Sequence, residues 1–317
     1  MRIVPEALIA GLVTAEDAFA AVEAVFAAMA RGEARNFPVV REALGGGRHY
    51  GFKSGQDAGV LGVKAGGYFP RNAERGLTNH QSSVLLFDPE TGRPLAMVGG
   101  NLLTALRTAA AAAVSIDRLA RRGARVLGII GAGHQAAFQL RAAARVRDFD
   151  RVIGWNRTPE RLAGLAAVTA DLGLPFEAVG LERMIEADVI VTITSAPAFS
   201  LARSQVRPGT HLACMGTDTV GKQEVEPALL ARATVFCDEV AQSVTIGEAQ
   251  HAVAQHLLDR AAIVPVGDVV TGRHPGRRSE GEITLFDGTG VGLQDLAVAG
   301  VALCQAEQRG LGAVIDL

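Results

Sequence analysis

The chain is poor in the features that would tie it to a membrane, a metal or a polyanion. Of its 317 residues only three are cysteines, Cys214, Cys237 and Cys304. They lie far apart, with no C-x-x-C and no Cys/His ligand spacing, so neither a disulfide framework nor a zinc site is expected. No apolar stretch approaches the ~20 uninterrupted residues that cross a bilayer. The opening "MRIVPEALIAGLVTAEDAF" places acids and a proline where a secretory signal needs a basic end and a clean apolar run. A soluble, cytoplasmic protein is expected. Its formal net charge of -2 lacks the basic excess of nucleic-acid binders. The most basic window, "GRHPGRRSEGE" from Gly272, is rich in glycine and reads as a solvated loop.

What the chain does have is apolar residues in abundance, 49% of the total, enough for packed cores in two domains of ordinary size. Thr14 to Asp17 reads as a helix start, with an Ala-rich amphipathic run to about Arg31. "SSVLLFD" and "PLAMVGG", joined by the turn "DPETG", read as an antiparallel pair. Residues 101–122 read as one long Ala-rich helix. The pattern then becomes strand, glycine turn, helix in "RVLGIIGAGHQAAFQLRAAARV", followed by apolar strands "RVIGWN", "DVIVTIT", "THLACMG" and "ATVFCD". Such alternation predicts an α/β fold, with a Rossmann-type, doubly wound parallel sheet at residues 121–289. After Leu285 the segment "GVGLQDLAVAGVALCQAEQRG" is expected to be helical and to return to a first, discontinuous α+β domain. That domain comprises residues 1–120 completed by 290–317, and would carry substrate binding and dimerisation.

The turn Gly131-x-Gly133-x-x-Ala136 follows one strand and opens a helix, the context a dinucleotide site requires. Glycines there let a pyrophosphate approach backbone N–H groups at the positive end of the helix. At the end of the next strand, 25 residues after Gly131, NAD enzymes usually carry an acid for the ribose; here the chain reads Asn156-Arg157-Thr158. Asn156 removes the repulsion that a 2′-phosphate would meet and Arg157 can pair with one, so NADP(H) is compatible alongside NAD(H). Arg157 stacked on the adenine or left in solvent is the alternative.

The first domain has cations among small and apolar neighbours: Arg41, Lys53, Lys64 and Arg107. A buried cation calls for a fixed anion, and Arg suits bidentate carboxylate binding. Lys53 alone reads more readily as a surface or structural charge. In "ACMGTDTVGKQEVEP", Asp218 is a lone acid among small residues and a candidate proton handler; a loop-capping role is the alternative.

These residues lie in motifs that resemble the ornithine cyclodeaminase/mu-crystallin family over nearly the whole chain. The motifs are "GVKAGGYFPRN", "LLFDPETGRPLA", "NLLTALRTAAAAAVSI", "LGIIGAGHQA", "GTDTVGKQEVEP", "IGEAQ" and "LFDGTGVGLQDLA". The resemblance implies a homodimer that uses a nicotinamide dinucleotide to reduce imino acids or to cyclodeaminate. It implies that Arg41, Lys64 and Arg107 bind the substrate carboxylate and that Asp218 is the catalytic acid. Asn79 falls where many members have Thr, and His134, Gln135, Asn156 and Lys222 fall on cofactor contacts. Ketimine reductases of the mu-crystallin type lack an acid in this loop, so Asp218 places the chain nearer the cyclodeaminases and alanine dehydrogenases. "YGFKSG" departs from a methionine-proline pattern common in the family and supplies Lys53, while "LTNHQSS" supplies His80. Together these segments are most similar to members that reduce iminosuccinate to L-aspartate with NADH. An ornithine cyclodeaminase, an alanine dehydrogenase and a non-catalytic dinucleotide-binding crystallin are the alternatives.

Overall fold

A computed structural model describes residues 1–316, which cluster into two compact units, residues 1–107 with 291–316 and residues 108–290. No helix among the described residues is long and apolar enough to cross a membrane.

Unit 1 opens with β1 (Arg2–Val4), α1 (Glu6–Leu12) and α2 (Ala15–Arg31). Thr14 caps α2 through a reciprocal capping box with Asp17, and Gly32 ends the helix in the left-handed conformation. There follow β2 (Arg35–Asn36), β3 (Val40–Gly45), β4 (Arg48–Gln56), β5 (Leu61–Tyr68), β6 (His80–Phe87) and β7 (Pro94–Gly99). The chain's last strand, β16 (Ala313–Val314), completes the sheet in the order β16-β1-β7-β6-β5-β4-β2, with β3 also paired to β4. The β6–β7 hairpin is as the sequence predicts. Asp88 accepts hydrogen bonds from the N–H groups of Glu90 and Thr91, which fixes its turn. Helix α3 (Asn101–Leu119) starts in this unit, and α10 (Gly292–Gln308) returns to it. Leu293 and Leu296 of α10 lie over Gly55 and Gly62, so α10 covers one face of the sheet.

Unit 2 is built on an all-parallel sheet of β8 (Val126–Ile130), β9 (Arg151–Trp155), β10 (Phe176–Ala178), β11 (Val189–Thr192), β12 (His211–Cys214), β13 (Ala233–Cys237), β14 (Val264–Pro265) and β15 (Ile283–Asp287). Its order is β10-β9-β8-β11-β12-β15-β13-β14, the crossover pattern of a doubly wound fold. Its helices are α4 (His134–Val146), α5 (Leu162–Asp171), α6 (Pro227–Leu230), α7 (Val240–Ile246), α8 (Ala249–Ala254) and α9 (Val266–Val270).

The helix expected in "GVGLQDLAVAGVALCQAEQRG" is α10, and just before it lies the buried strand β15, inserted between β12 and β13. One expectation needs correction here. The basic window is not wholly solvated: Arg277 is half-buried and donates to Leu119 O (2.7 Å), Thr284 Oγ1 (2.8 Å) and Thr210 O (3.3 Å). A guanidinium offers five donors in a fixed fork, so it can satisfy a carbonyl at the end of a helix together with acceptors at two strands.

Candidate active site

In unit 1 the cations gather on the face of the sheet that α10 covers. Lys53 on β4 stands directly opposite Lys64 on β5, and Arg41 on β3 stands opposite Gly51. Side chains alternate along a strand, so Arg41, Lys53 and Lys64 share that face. Like charges placed opposite one another repel, which demands an anion. Asp295, wholly buried on α10, supplies it: one carboxylate oxygen accepts from Lys64 Nζ at 3.0 Å and from Arg107 Nε at 3.1 Å. Lys64 also donates to Thr104 Oγ1 at 2.6 Å, and Arg107 Nη1 donates to Gln294 Oε1 at 3.3 Å.

Burial alone would raise the Asp295 carboxyl, but Arg107, Lys64 and Lys53 hold it below its ordinary value. Burial, reinforced by the charges of Lys64 and Arg107, pushes the His80 imidazole down to about 3, so His80 is neutral at physiological pH. Its Nδ1 is buried without a hydrogen-bond partner. The structure thus brings Lys53, Lys64, Arg107 and His80 within electrostatic reach of one another. Asn79 is engaged elsewhere: its Oδ1 accepts from Ala73 N at 3.1 Å and its Nδ2 contacts Tyr68 Oη at 3.4 Å.

In unit 2 the turn after β8 has the geometry a pyrophosphate needs. Gly131 has φ +113°, and a Cβ there would lie 2.6 Å from Ile193 O. Gly133 is the N-cap of the 13-residue α4, with no side-chain cap and open space where its Cβ would be. The first-turn N–H groups are therefore open to an anion, and a dinucleotide fits. His134 is exposed at the start of α4, with its ring 5.4 Å from that of Phe138, and Gln135 has a buried, unpartnered Oε1. Arg157 is exposed beyond β9. Asn156 uses both ends of its amide on the backbone, accepting from Ala132 N (3.1 Å) and donating to Thr158 O (2.8 Å). That side chain shapes the glycine turn itself.

Asp218 is half-buried in the loop after β12. Its Oδ1 accepts from Lys222 Nζ at 2.7 Å and from Thr219 Oγ1 at 3.1 Å. Lys222, expected on the cofactor, thus makes its short contact to Asp218. Beneath the loop lie two wholly buried acids that sequence reasoning did not single out, Glu224 and Glu248. Their only signal was position, inside the motifs "GKQEVEP" and "IGEAQ". Burial raises the Glu224 carboxyl, and burial together with the charge of Glu224 pushes Glu248 up to about 8. Burial likewise pushes Asp287, at the end of β15, up to about 7.

The chain matches the ornithine cyclodeaminase/mu-crystallin family over residues 6–308. It is 60% identical to the iminosuccinate reductase of Paracoccus denitrificans, with 100% of each chain covered. The crystal structure of that enzyme in complex with NAD+ superposes with a TM-score of 0.95, covering 100% of this chain and 99% of the other. The alanine dehydrogenase of Archaeoglobus fulgidus is 32% identical, with 96% of this chain and 94% of that one covered. A Δ1-pyrroline-2-carboxylate reductase of Thermococcus litoralis, solved with NADH and L-proline, is 25% identical with a TM-score of 0.94, over 99% and 100% of the two chains. Full-length agreement in sequence and in fold places this chain in the ornithine cyclodeaminase/mu-crystallin family.

Proposed function

We propose that the protein is an imino acid reductase that converts iminosuccinate to L-aspartate with NAD(H). The observation that carries this reading is the charge pattern of unit 1. Lys64 and Arg107 pair with the buried acid Asp295, Lys53 acts on that acid electrostatically, and a neutral His80 lies beside them. A monocarboxylate needs fewer cations than that, and a dicarboxylate uses them. The 60% identical relative carries the name of this activity.

Unit 1 supplies the groups for the substrate's carboxylates, with Arg41, Lys64 and Arg107 on the α-carboxylate and Lys53 and His80 on the second. Unit 2 supplies the dinucleotide cradle of Gly131, Gly133, His134, Gln135, Asn156 and Arg157. The nicotinamide, when bound, supplies the hydride that adds to the imine carbon. Asp218, paired with Lys222, orients the protonated nitrogen and holds its proton as the C=N bond becomes C–N.

Ornithine cyclodeamination requires an anion for a δ-ammonium, and Asp295 already bridges two cations. The test is product identification. With NADH, oxaloacetate and ammonia the enzyme forms L-aspartate in step with NADH loss. Ornithine conversion to proline without net loss of cofactor would overturn the assignment.

The working form is a cytoplasmic homodimer in this proposal. On the face of the unit 1 sheet opposite α10, Val40, Tyr50, Phe52 and Met97 are exposed by 40–46%. An apolar sheet face of this kind is a docking surface. A second copy is its occupant, because a structurally similar archaeal alanine dehydrogenase is described as a dimer. Phe52→Glu shifts the mass measured by light scattering to that of a monomer; an unchanged mass would rule out this face. Two of the three thiols are buried and all are free, consistent with a reducing compartment that cell fractionation can check.

A further inference from the structure

We propose that residues 247–251, Gly-Glu-Ala-Gln-His, are a positioning platform for the loop that carries Asp218. This deepens the proposal above and rests on Asp218 acting at the substrate nitrogen. The segment belongs to none of the cofactor or substrate contacts, yet three of its four side chains are spent on that loop.

Glu248 takes the two ends of the loop together. Its Oε2 accepts from Thr217 Oγ1 at 2.5 Å, and its Oε1 accepts from the N–H groups of Glu224 and Val225, each at 2.9 Å. Gln250 takes the middle. Its Oε1 accepts from Gly221 N at 2.9 Å, and its Nε2 reaches the carbonyls of Gly247 (2.8 Å), Thr219 and Lys222 (both 3.4 Å). His251 Nε2 lies 3.0 Å from Lys222 O, so that nitrogen carries the proton. Between them these three side chains meet residues 217, 219, 221, 222, 224 and 225. Asp218 lies inside that span, and its partner Lys222 is held at its own backbone.

Glu224 ties the assembly to the sheet. It accepts from Thr192 Oγ1 (2.7 Å) and Thr194 N (2.6 Å) at the end of β11, and from Gly216 N (2.7 Å) just after β12. A Cβ at Gly216 would lie 2.2 Å from Thr194 O and 2.6 Å from the Glu224 carboxyl, so the loop begins with the residue that allows this approach. Two buried carboxylates in series therefore connect the C-terminal ends of two parallel strands to α8 through the loop. Asp218 and Lys222 are left as its half-exposed charged pair. A loop with polar backbone held this way has one geometry, and displacements near 1 Å at a reacting group cost on the order of 10²-fold in rate.

The test uses the full-length enzyme and three variants. Glu248→Ala removes the acceptors at both ends of the loop. Amide hydrogen exchange at Gly221, Glu224 and Val225 should accelerate, and kcat should fall on the order of 10²-fold. KM for the imino acid should stay within about threefold, because the carboxylates are read by other residues. Glu248→Gln, which keeps an acceptor for the two N–H groups, should recover most of the loss. If Glu248→Ala does not fold, Thr217→Val carries the test: it deletes one loop hydroxyl at nearly constant volume and should lower kcat about fivefold. Unchanged exchange and unchanged kcat in a folded Glu248→Ala, or in Thr217→Val, would overturn the platform. Faster exchange with unchanged kcat would instead support the mechanical role of the platform and contradict the role given to Asp218.

Discussion

The two candidate sites, one in each unit, bury charge in opposite ways. Unit 1 collects cations, and the acid they share, Asp295, is itself wholly buried. Unit 2 buries the acids Glu224, Glu248 and Asp287, and gives them backbone N–H and hydroxyl donors of their own chain. A buried acid satisfied by the backbone is a structural fastener. Cations concentrated about one acid make a field that attracts a further anion. The same element of cost, charge out of water, thus serves as scaffold in one unit and as ligand recognition in the other.

The comparison can be broken first at Asp295. Asp295→Asn takes the shared anion from Lys64 and Arg107, and breaking a buried pair typically costs ~3–5 kcal/mol. Denaturant unfolding should show a loss of that size; a change within ~0.5 kcal/mol, the range of surface substitutions, would mean the cations are held otherwise. On the unit 2 side, Asp218→Asn should lower kcat by at least ~10²-fold with dinucleotide affinity nearly unchanged, as befits a proton-handling group. Turnover close to wild type would retire that role.

Smaller effects sharpen the contrast. Arg157 is exposed beyond β9, so Arg157→Ala should weaken NADPH use more than NADH use, read as a kcat/KM ratio. An unchanged ratio places Arg157 off the ribose. The pH dependence of stability should also differ in sign between the units. His80 has a folded pKa of about 3 against 6.5 unfolded, so the stability tied to it is present above pH 6.5 and is lost as pH falls toward 3. Glu248 runs the other way: with a folded pKa of about 8 against 4.5, its contribution is full below 4.5 and is lost as pH rises through 8. Melting scans of His80→Gln should flatten the acid limb, and those of Glu248→Gln the alkaline limb. Identical limbs in wild type and variants would contradict the assignment.

Local chemistry made much of this fold legible. The capping box at Thr14, the Asp88 turn and the strand-glycine-helix run through Gly131 are each written in a few adjacent residues, and each folds as read. Long-range partners were not legible. Asp295 meets Lys64 across 231 positions, and nothing near Lys64 signals which acid will come. Glu224 and Glu248 were visible as motif members, but their work depends on loop amides that only the folded chain brings to them. β15 escaped because "ITLFD" follows a basic, glycine-rich window, and a five-residue apolar run carries no periodicity of its own. Arg277 escaped for a different reason: its acceptors, Leu119 O at the end of α3 and Thr210 O just before β12, lie far along the chain.

The central claim is that the unit 1 cations select a second carboxylate, and one ratio tests it most directly. We expect kcat/KM for oxaloacetate with ammonia to exceed that for pyruvate with ammonia by several orders of magnitude. Sites built to pair a polar group reject the analogue lacking it by ~10⁴-fold. Lys53→Met should shrink that ratio by raising the barrier for the dicarboxylate alone. Equal rates on the two substrates in the wild-type enzyme, or a Lys53→Met variant that loses both activities alike, would contradict it.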